Sequence, residues 1–127
     1  MREIKVRGYA IEEMIGSQWM YGTGIFVRTF TDEFAKLAGK KHEYFIFMDS
    51  GWMEVHGESI GQYTGLTDKN GKEIYEGDFV IVDNTWGDVV RYHQGCFMVD
   101  DDVLGAIHSF SEVQRNIYEN PKLLEYE

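Results

Sequence analysis

Cysteine is almost missing from this chain: Cys96 is the only one in 127 residues. No intramolecular disulfide can form, so a reducing compartment, the cytoplasm, is the expected setting. Proline occurs once, at Pro121, and the chain has no low-complexity tract, which argues against a disordered protein. No apolar run approaches the roughly 20 residues needed to span a bilayer. Met1-Arg2-Glu3-Ile4-Lys5 leads straight into alternating residues without the apolar centre of a signal peptide. The expectation is an unexported protein with no membrane partner. Positive charge is also scarce, with 12 Lys and Arg against 22 Asp and Glu and a formal charge of −10. That balance opposes attraction to phosphate backbones, and Lys40-Lys41 is too short a basic patch to reverse it, so no direct nucleic-acid contact is expected.

What is present suits a globular core. Hydrophobic residues make up 43% and aromatics 15%. A single domain of this length buries roughly two-thirds of its unfolded surface, without metal, disulfide or cofactor as a staple. Ile4 and Val6 alternate with Lys5 and Arg7, the pattern of a strand with one wet face. Gly22-Thr23-Gly24 is a flexible turn leading into Ile25-Phe26-Val27. It is no dinucleotide fingerprint, because Val27 stands where a third glycine would be required. Thr31 caps a short helix with Asp32 and Glu33 in its first turn, Phe34, Leu37 and Ala38 on one face and Gly39 at its end. Two turns are marginal alone and call for tertiary packing.

Tyr44-Phe45-Ile46-Phe47-Met48 and Trp52-Met53-Glu54-Val55-His56, joined through Asp49-Ser50-Gly51, read as a hairpin whose wet face carries Trp52. Phe79-Val80-Ile81-Val82 is a buried strand ended by Asp83-Asn84. Asp88 to His93 and Cys96 to Val99 form a second hairpin about Gln94-Gly95, before the acidic Asp100-Asp101-Asp102. Val113, Arg115 and Ile117 alternate in a last strand, and Asn120-Pro121 opens a brief helical turn through Leu123 and Leu124. The whole is mainly β, a β-rich α+β fold. It is one domain over 1–127, with a division near Ser59 to Gln62 into packed subdomains: 1–61, β with one short helix, and 62–127.

Between these elements lies QYTGLTDKNGKEIYEGD, Gln62 to Asp78. Asp68-Lys69-Asn70-Gly71 has the composition of a tight reversal, Gly77 supplies a positive φ, and Asp78 can bond nearby amides where the next strand begins. A Gly-Asp step followed by short hairpins is compatible with a small, partly open SH3-like barrel in the C-terminal half, though composition does not single it out. Gln62-Tyr63-Thr64-Gly65-Leu66, Asp68, Gly71 and Tyr75-Glu76-Gly77-Asp78, together with the distant Ile117-Tyr118-Glu119-Asn120-Pro121, closely resemble the signature of the YopX family of phage and prophage proteins. Ile4 to Ala10 matches more loosely, with Gly8 and Tyr9 where the family usually has Ala-Trp, and Met14 to Trp52 matches no motif. The resemblance implies a phage or prophage origin in a bacterial cytoplasm, a mainly β fold with an SH3-like part, and self-assembly. It brings no catalytic residues.

The remaining constellations have ordinary explanations. Asp100, Asp101 and Asp102 with His93 and His108 lack the glycine and bidentate-glutamate spacing of a calcium loop and read as a solvated acidic loop. Glu76 and Asp78 could share a strand face as an acid/base pair, yet a turn role suffices for both. Cys96 near His93 reads as a buried inert thiol rather than a nucleophile. Trp19, Trp52 and Trp86 read first as core and second as an interface. The leading functional reading is therefore non-enzymatic: a phage accessory protein that binds a host or phage protein and forms a homo-oligomer through aromatic residues and sheet edges. One alternative is an acidic decoy for a host nucleic-acid-binding protein. The other is a hydrolase using Glu76, Asp78 and Asp100 to Asp102.

Overall fold

A computed structural model describes residues 3–122. The chain is mainly β and antiparallel, and it divides into two compact units, one from Ile4 to Gly61 and one beginning at Gln62.

In the N-terminal unit, β1 (Val6–Tyr9) pairs with β2 (Trp19–Gly22). The expected wet face is not found on β1. Val6, Arg7 and Gly8 are all buried, while Ile4 precedes the strand and is exposed. Close packing explains the glycine, since a Cβ at Gly8 would sit 2.8 Å from Val55 Cγ2. Next come β3 (Gly24–Thr29), α1 (Asp32–Ala38), β4 (His42–Met48) and β5 (Gly51–Val55), whose strands form a sheet in the order β3-β4-β5.

The α1 helix starts and stops where its sequence dictates. Thr31 Oγ1 accepts the Phe34 N–H at 3.2 Å, and Gly39 takes φ 77° to end the last turn. The tertiary packing expected for it is absent, however: none of its residues is buried, and Leu37 is 86% exposed. Phe34, half exposed, leans on Phe30, 4.9 Å away between ring centres. The unit's small core lies on the other side of the sheet, where Val6, Ile46 and Val55 pack with Tyr44, Met48 and Ile60.

The C-terminal unit contains β6 (Gly61–Thr67), which begins at the junction, and β7 (Glu73–Tyr75), β8 (Asp78–Val82), β9 (Trp86–His93), β10 (Cys96–Val99) and β11 (Asp102–Val103). It continues with α2 (Leu104–Ile107) and β12 (Ser111–Asn116). β6 pairs with β7, and the larger sheet runs β11-β10-β9-β8-β12. Its strands are open, with no closed barrel among the described residues. The turns at Asp83-Asn84, with φ 51° and 55°, and at Gln94-Gly95, with φ 49° and 85°, use left-handed pairs, the geometry that matches strand twist. Ile74, Val80, Val82, Val90, Phe97, Val99, Leu104 and Ile107 form the core, with Trp86 packed against it.

Two local expectations change here. Cys96 is exposed, because it follows the Gln94-Gly95 turn and points to the face opposite Phe97 and Val99. Ile117 lies past the end of β12, in a turn. Pro121 and Lys122 open a 3₁₀ turn, while Leu123 and Leu124 lie outside the described residues.

Candidate functional site

The Gln62 to Asp78 signature folds into a hub of backbone bonds around two acceptor carboxylates. Asp68 is 5% exposed. Its Oδ1 accepts the N–H groups of Asn70 at 2.8 Å and Lys72 at 2.9 Å, while Oδ2 accepts that of Val113 at 2.9 Å. The last bond reaches the outward edge of β12: Phe110 accepts the Asp83 N–H, and bonded pairs alternate from there, so Ser111 and Val113 turn their backbone groups away from β8 before the register shifts between Val113 and Arg115. An amide on the open side of an edge strand needs an acceptor outside the ladder, and Asp68 provides it from 45 residues away, while Lys69 donates to the neighbouring Ser111 carbonyl. Burial pushes this carboxyl's pKa up, but the three N–H bonds and the nearby Lys72 charge outweigh it and hold the pKa below the ordinary value.

Thr64 and Gly65 settle a second irregularity. The β6–β7 register shifts between Tyr63 and Thr67, Gly65 takes φ 85°, and the Thr64 hydroxyl donates to the Ile74 carbonyl at 2.8 Å while accepting the Leu66 N–H. Gly71 at φ 82° closes the Asp68 turn, donating its N–H to the Asp68 carbonyl. Tyr63 and Tyr75 rings lie 5.4 Å apart, and Gln62 accepts the Glu76 N–H.

Gly77 joins the two halves of the signature. At φ 93° it donates to the Val90 carbonyl and accepts the Ile117 N–H, each at 2.9 Å. Asn116 and Glu119 then bond each other twice, and Asn120 donates to the Asn116 carbonyl, which fixes the closing turn around Tyr118. Pro121 is exposed beyond it.

Glu76 and Asp78 are not a pair on one strand face. Glu76 lies in the turn before β8 begins, and Asp78 is buried with Oδ2 accepting the Tyr75 N–H at 2.8 Å. Asp100 and Asp101 line a concavity of about 380 Å³ with Asp88, Arg91, Tyr92, His93 and Met98. His108 is held elsewhere, with Nδ1 donating to the Thr67 carbonyl, and Asp102 belongs to β11. Among the described residues no three His, Cys, Asp or Glu side chains converge as metal ligands.

The three tryptophans part company. Trp86 joins the C-terminal core, and Trp19 meets Tyr9 edge-on under the Arg7 guanidinium. Trp52 is 53% exposed. The register places Gly24, Phe47 and Trp52 in one row and Phe26, Phe45 and Glu54 in the next, all on the sheet face opposite Ile46 and Val55. Trp52 lies 5.0 Å from Phe47 and 5.7 Å from Phe26, which lies 6.1 Å from Phe45. Arg28 covers the Phe45 ring at 5.5 Å and pairs with Glu43, as Lys40 does with Glu43 and Glu54. Phe26, Arg28, Phe45 and Trp52 bound a shallow hollow of about 280 Å³. Sequence reading singled out Trp52 but missed its three phenylalanine neighbours. For Phe45 and Phe47 the signal was the unbroken apolar run on β4, and for Phe26 the Ile25-Phe26-Val27 run on β3, neither of which a strand with one wet face requires.

The sequence matches the family model described as YopX protein over residues 12–125. That range takes in Met14 to Trp52, where no motif had been recognised, and excludes the loosely matching opening from Ile4. The crystal structure of protein EF1440 from Enterococcus faecalis is similar to the chain at 22% identity, covering 95% of this chain and 97% of that one with a TM-score of 0.49. No curated protein matches the chain.

Proposed function

The chain belongs to the YopX family, and from that premise we propose that it is a non-enzymatic phage or prophage accessory protein. It acts in the bacterial cytoplasm by binding a host or phage protein and by associating with copies of itself. The observation that carries this reading is the aromatic face of β3-β4-β5. Phe26, Phe47 and Trp52 stand 44–53% exposed while touching one another. Contiguous aromatics rimmed by charge have the composition of an interface centre, whereas scattered exposed apolar residues would need no explanation. The rim here is Arg28, Lys40, Glu43 and Glu54. Static light scattering at micromolar concentration is expected to give a mass above that of one chain, lowered by Phe26→Ser. A strictly monomeric mass would overturn the self-association.

One observation favours a second reading, the acidic decoy. From Gln62 on, five Lys and Arg face 13 Asp and Glu, whereas Ile4 to Gly61 holds six against eight. A charge so concentrated favours a basic protein surface over a neutral one. Pull-down from bacterial lysate should then recover a nucleic-acid-binding protein at low salt and lose it at high salt. Recovery of no such protein at low salt removes this reading.

A further inference from the structure

We propose that β3 is an unfinished interior strand, completed by antiparallel pairing with β3 of a second copy about a twofold axis at Val27. This rests on the self-association above and specifies its surface.

The β3 strand stands at the edge of its sheet, bonded among the described residues to β4 alone. Edge strands are normally protected by proline, by a bulge or by several charges. This one has none of the first two and a single charge, Arg28, already paired with Glu43. Its apolar residues face both ways. Ile25 and Val27 are 45% and 44% exposed on the face shared with Ile46, and Phe26 is 49% exposed on the other. Apolar side chains on both faces are the pattern of a strand with neighbours on both sides.

The backbone is oriented to accept such a neighbour. Phe30 donates its N–H to the Lys41 carbonyl at 2.9 Å, which makes that pair a bonded one. Bonded pairs alternate, so Arg28, Phe26 and Gly24 also bond toward β4. Ile25, Val27 and Thr29 therefore turn their N–H and C=O groups toward the open edge.

A twofold axis at Val27 uses all three. Val27 meets Val27 of the second copy and Ile25 meets Thr29, giving three bonded pairs. On the aromatic face Phe26 comes opposite Arg28, a cation–π arrangement, and Gly24 leaves room for Phe30. An axis at Arg28 would instead set two guanidinium groups side by side, and axes nearer Ile25 would lose bonded pairs. This self-complementary register selects a second copy as the occupant over an unrelated strand. Charge agrees, because the two copies meet through the unit with six cationic and eight anionic residues rather than the strongly acidic one.

The test uses the full chain with Cys96→Ser, which removes the exposed native thiol. In this pairing Val27 Cα atoms of the two copies lie about 5.5 Å apart, inside the disulfide range of about 4.4–6.8 Å. Thr29 Cα atoms would be about 14 Å apart, four residues along the strand and one strand spacing across. Under mild oxidation Val27→Cys is expected to form covalent dimer at least tenfold faster than Thr29→Cys; equal rates would overturn the register. Separately, Val27→Pro removes an outward N–H while sparing the β4 ladder, so it should return the mass to one chain. If Val27→Pro does not fold, the cysteine pair decides. A Val27→Pro oligomer of unchanged mass, with no preference for Val27→Cys, would overturn this edge and leave self-association standing. A monomeric parent chain would remove both.

Discussion

Asp68→Ala is expected to lower the unfolding free energy by about 3–4 kcal/mol, which would make this hydrogen-bonding carboxylate one of the most sensitive positions in the chain. Its three bonds are not equal. Asn70 and Lys72 are exposed residues whose amides can turn to water, whereas the Val113 N–H is half-buried on the outward edge of β12. Leaving that donor unmet costs about 1–3 kcal/mol, and each charge-assisted bond lost contributes about 1.5–3 before solvent compensation. Asp68→Asn keeps Oδ1 for Asn70 and Lys72 but presents an amide NH₂ to Val113, so it should lose about half as much.

The pH dependence distinguishes charge from shape. The folded carboxyl has a pKa below the unfolded one, so the unfolded chain takes up its proton first as pH falls. The stabilisation is therefore complete above the unfolded pKa of about 4 and is lost as pH drops through the lower folded value. Urea unfolding followed by tryptophan fluorescence from pH 6 to pH 2 should show this fall in the parent chain and a flatter profile in Asp68→Asn. An Asp68→Ala change below 1 kcal/mol would mean that other acceptors take over the Val113 amide.

Gly22→Ala should cost about 3 kcal/mol or more, while Gly24→Ala, two residues away, should be neutral or slightly stabilising. A Cβ at Gly22 would sit 2.2 Å from the Phe47 carbonyl oxygen and 2.5 Å from Ile46 Cγ2. The Phe47 oxygen also accepts the Thr23 N–H, so relieving the clash means moving a bonded backbone beside the core residue Ile46. At Gly24 the nearest atom is Phe47 Cβ, 3.6 Å away, an ordinary contact. Thermal unfolding of the two variants side by side is the measurement. A Gly22→Ala protein as stable as Gly24→Ala would show that β2 and β4 approach less closely than this.

That pair also marks how far local sequence reaches. Both glycines read equally well as turn formers, and only the distance from β2 to β4 separates the one required by packing from the one that is not. The α1 boundaries were legible because Thr31 and Gly39 act on adjacent backbone groups. The strand end at Asp83-Asn84 and the hairpin at Gln94-Gly95 were legible because left-handed φ values favour few residue types. Gly71 and Gly77 follow the same rule. In each case cause and effect lie within four residues.

The candidate site was legible only in part, because its decisive contacts are distant in sequence. Asp68 read as a turn former, which it is, but its bond to Val113 depends on an edge strand 45 residues away. Cys96 read as buried because its strand is apolar, yet its place beside the turn leaves it exposed. By itself the sequence determined the mainly β class, the turns, the helix caps and the signature that places the chain in its family. The tertiary structure decided which apolar faces are covered: Ile46 and Val55 are buried, while Phe26, Phe47 and Trp52 on the opposite face are not. The physical reason is that hydrophobicity states how much burial would be favourable, whereas burial itself needs a neighbour, and the neighbour is set by the course of the whole chain.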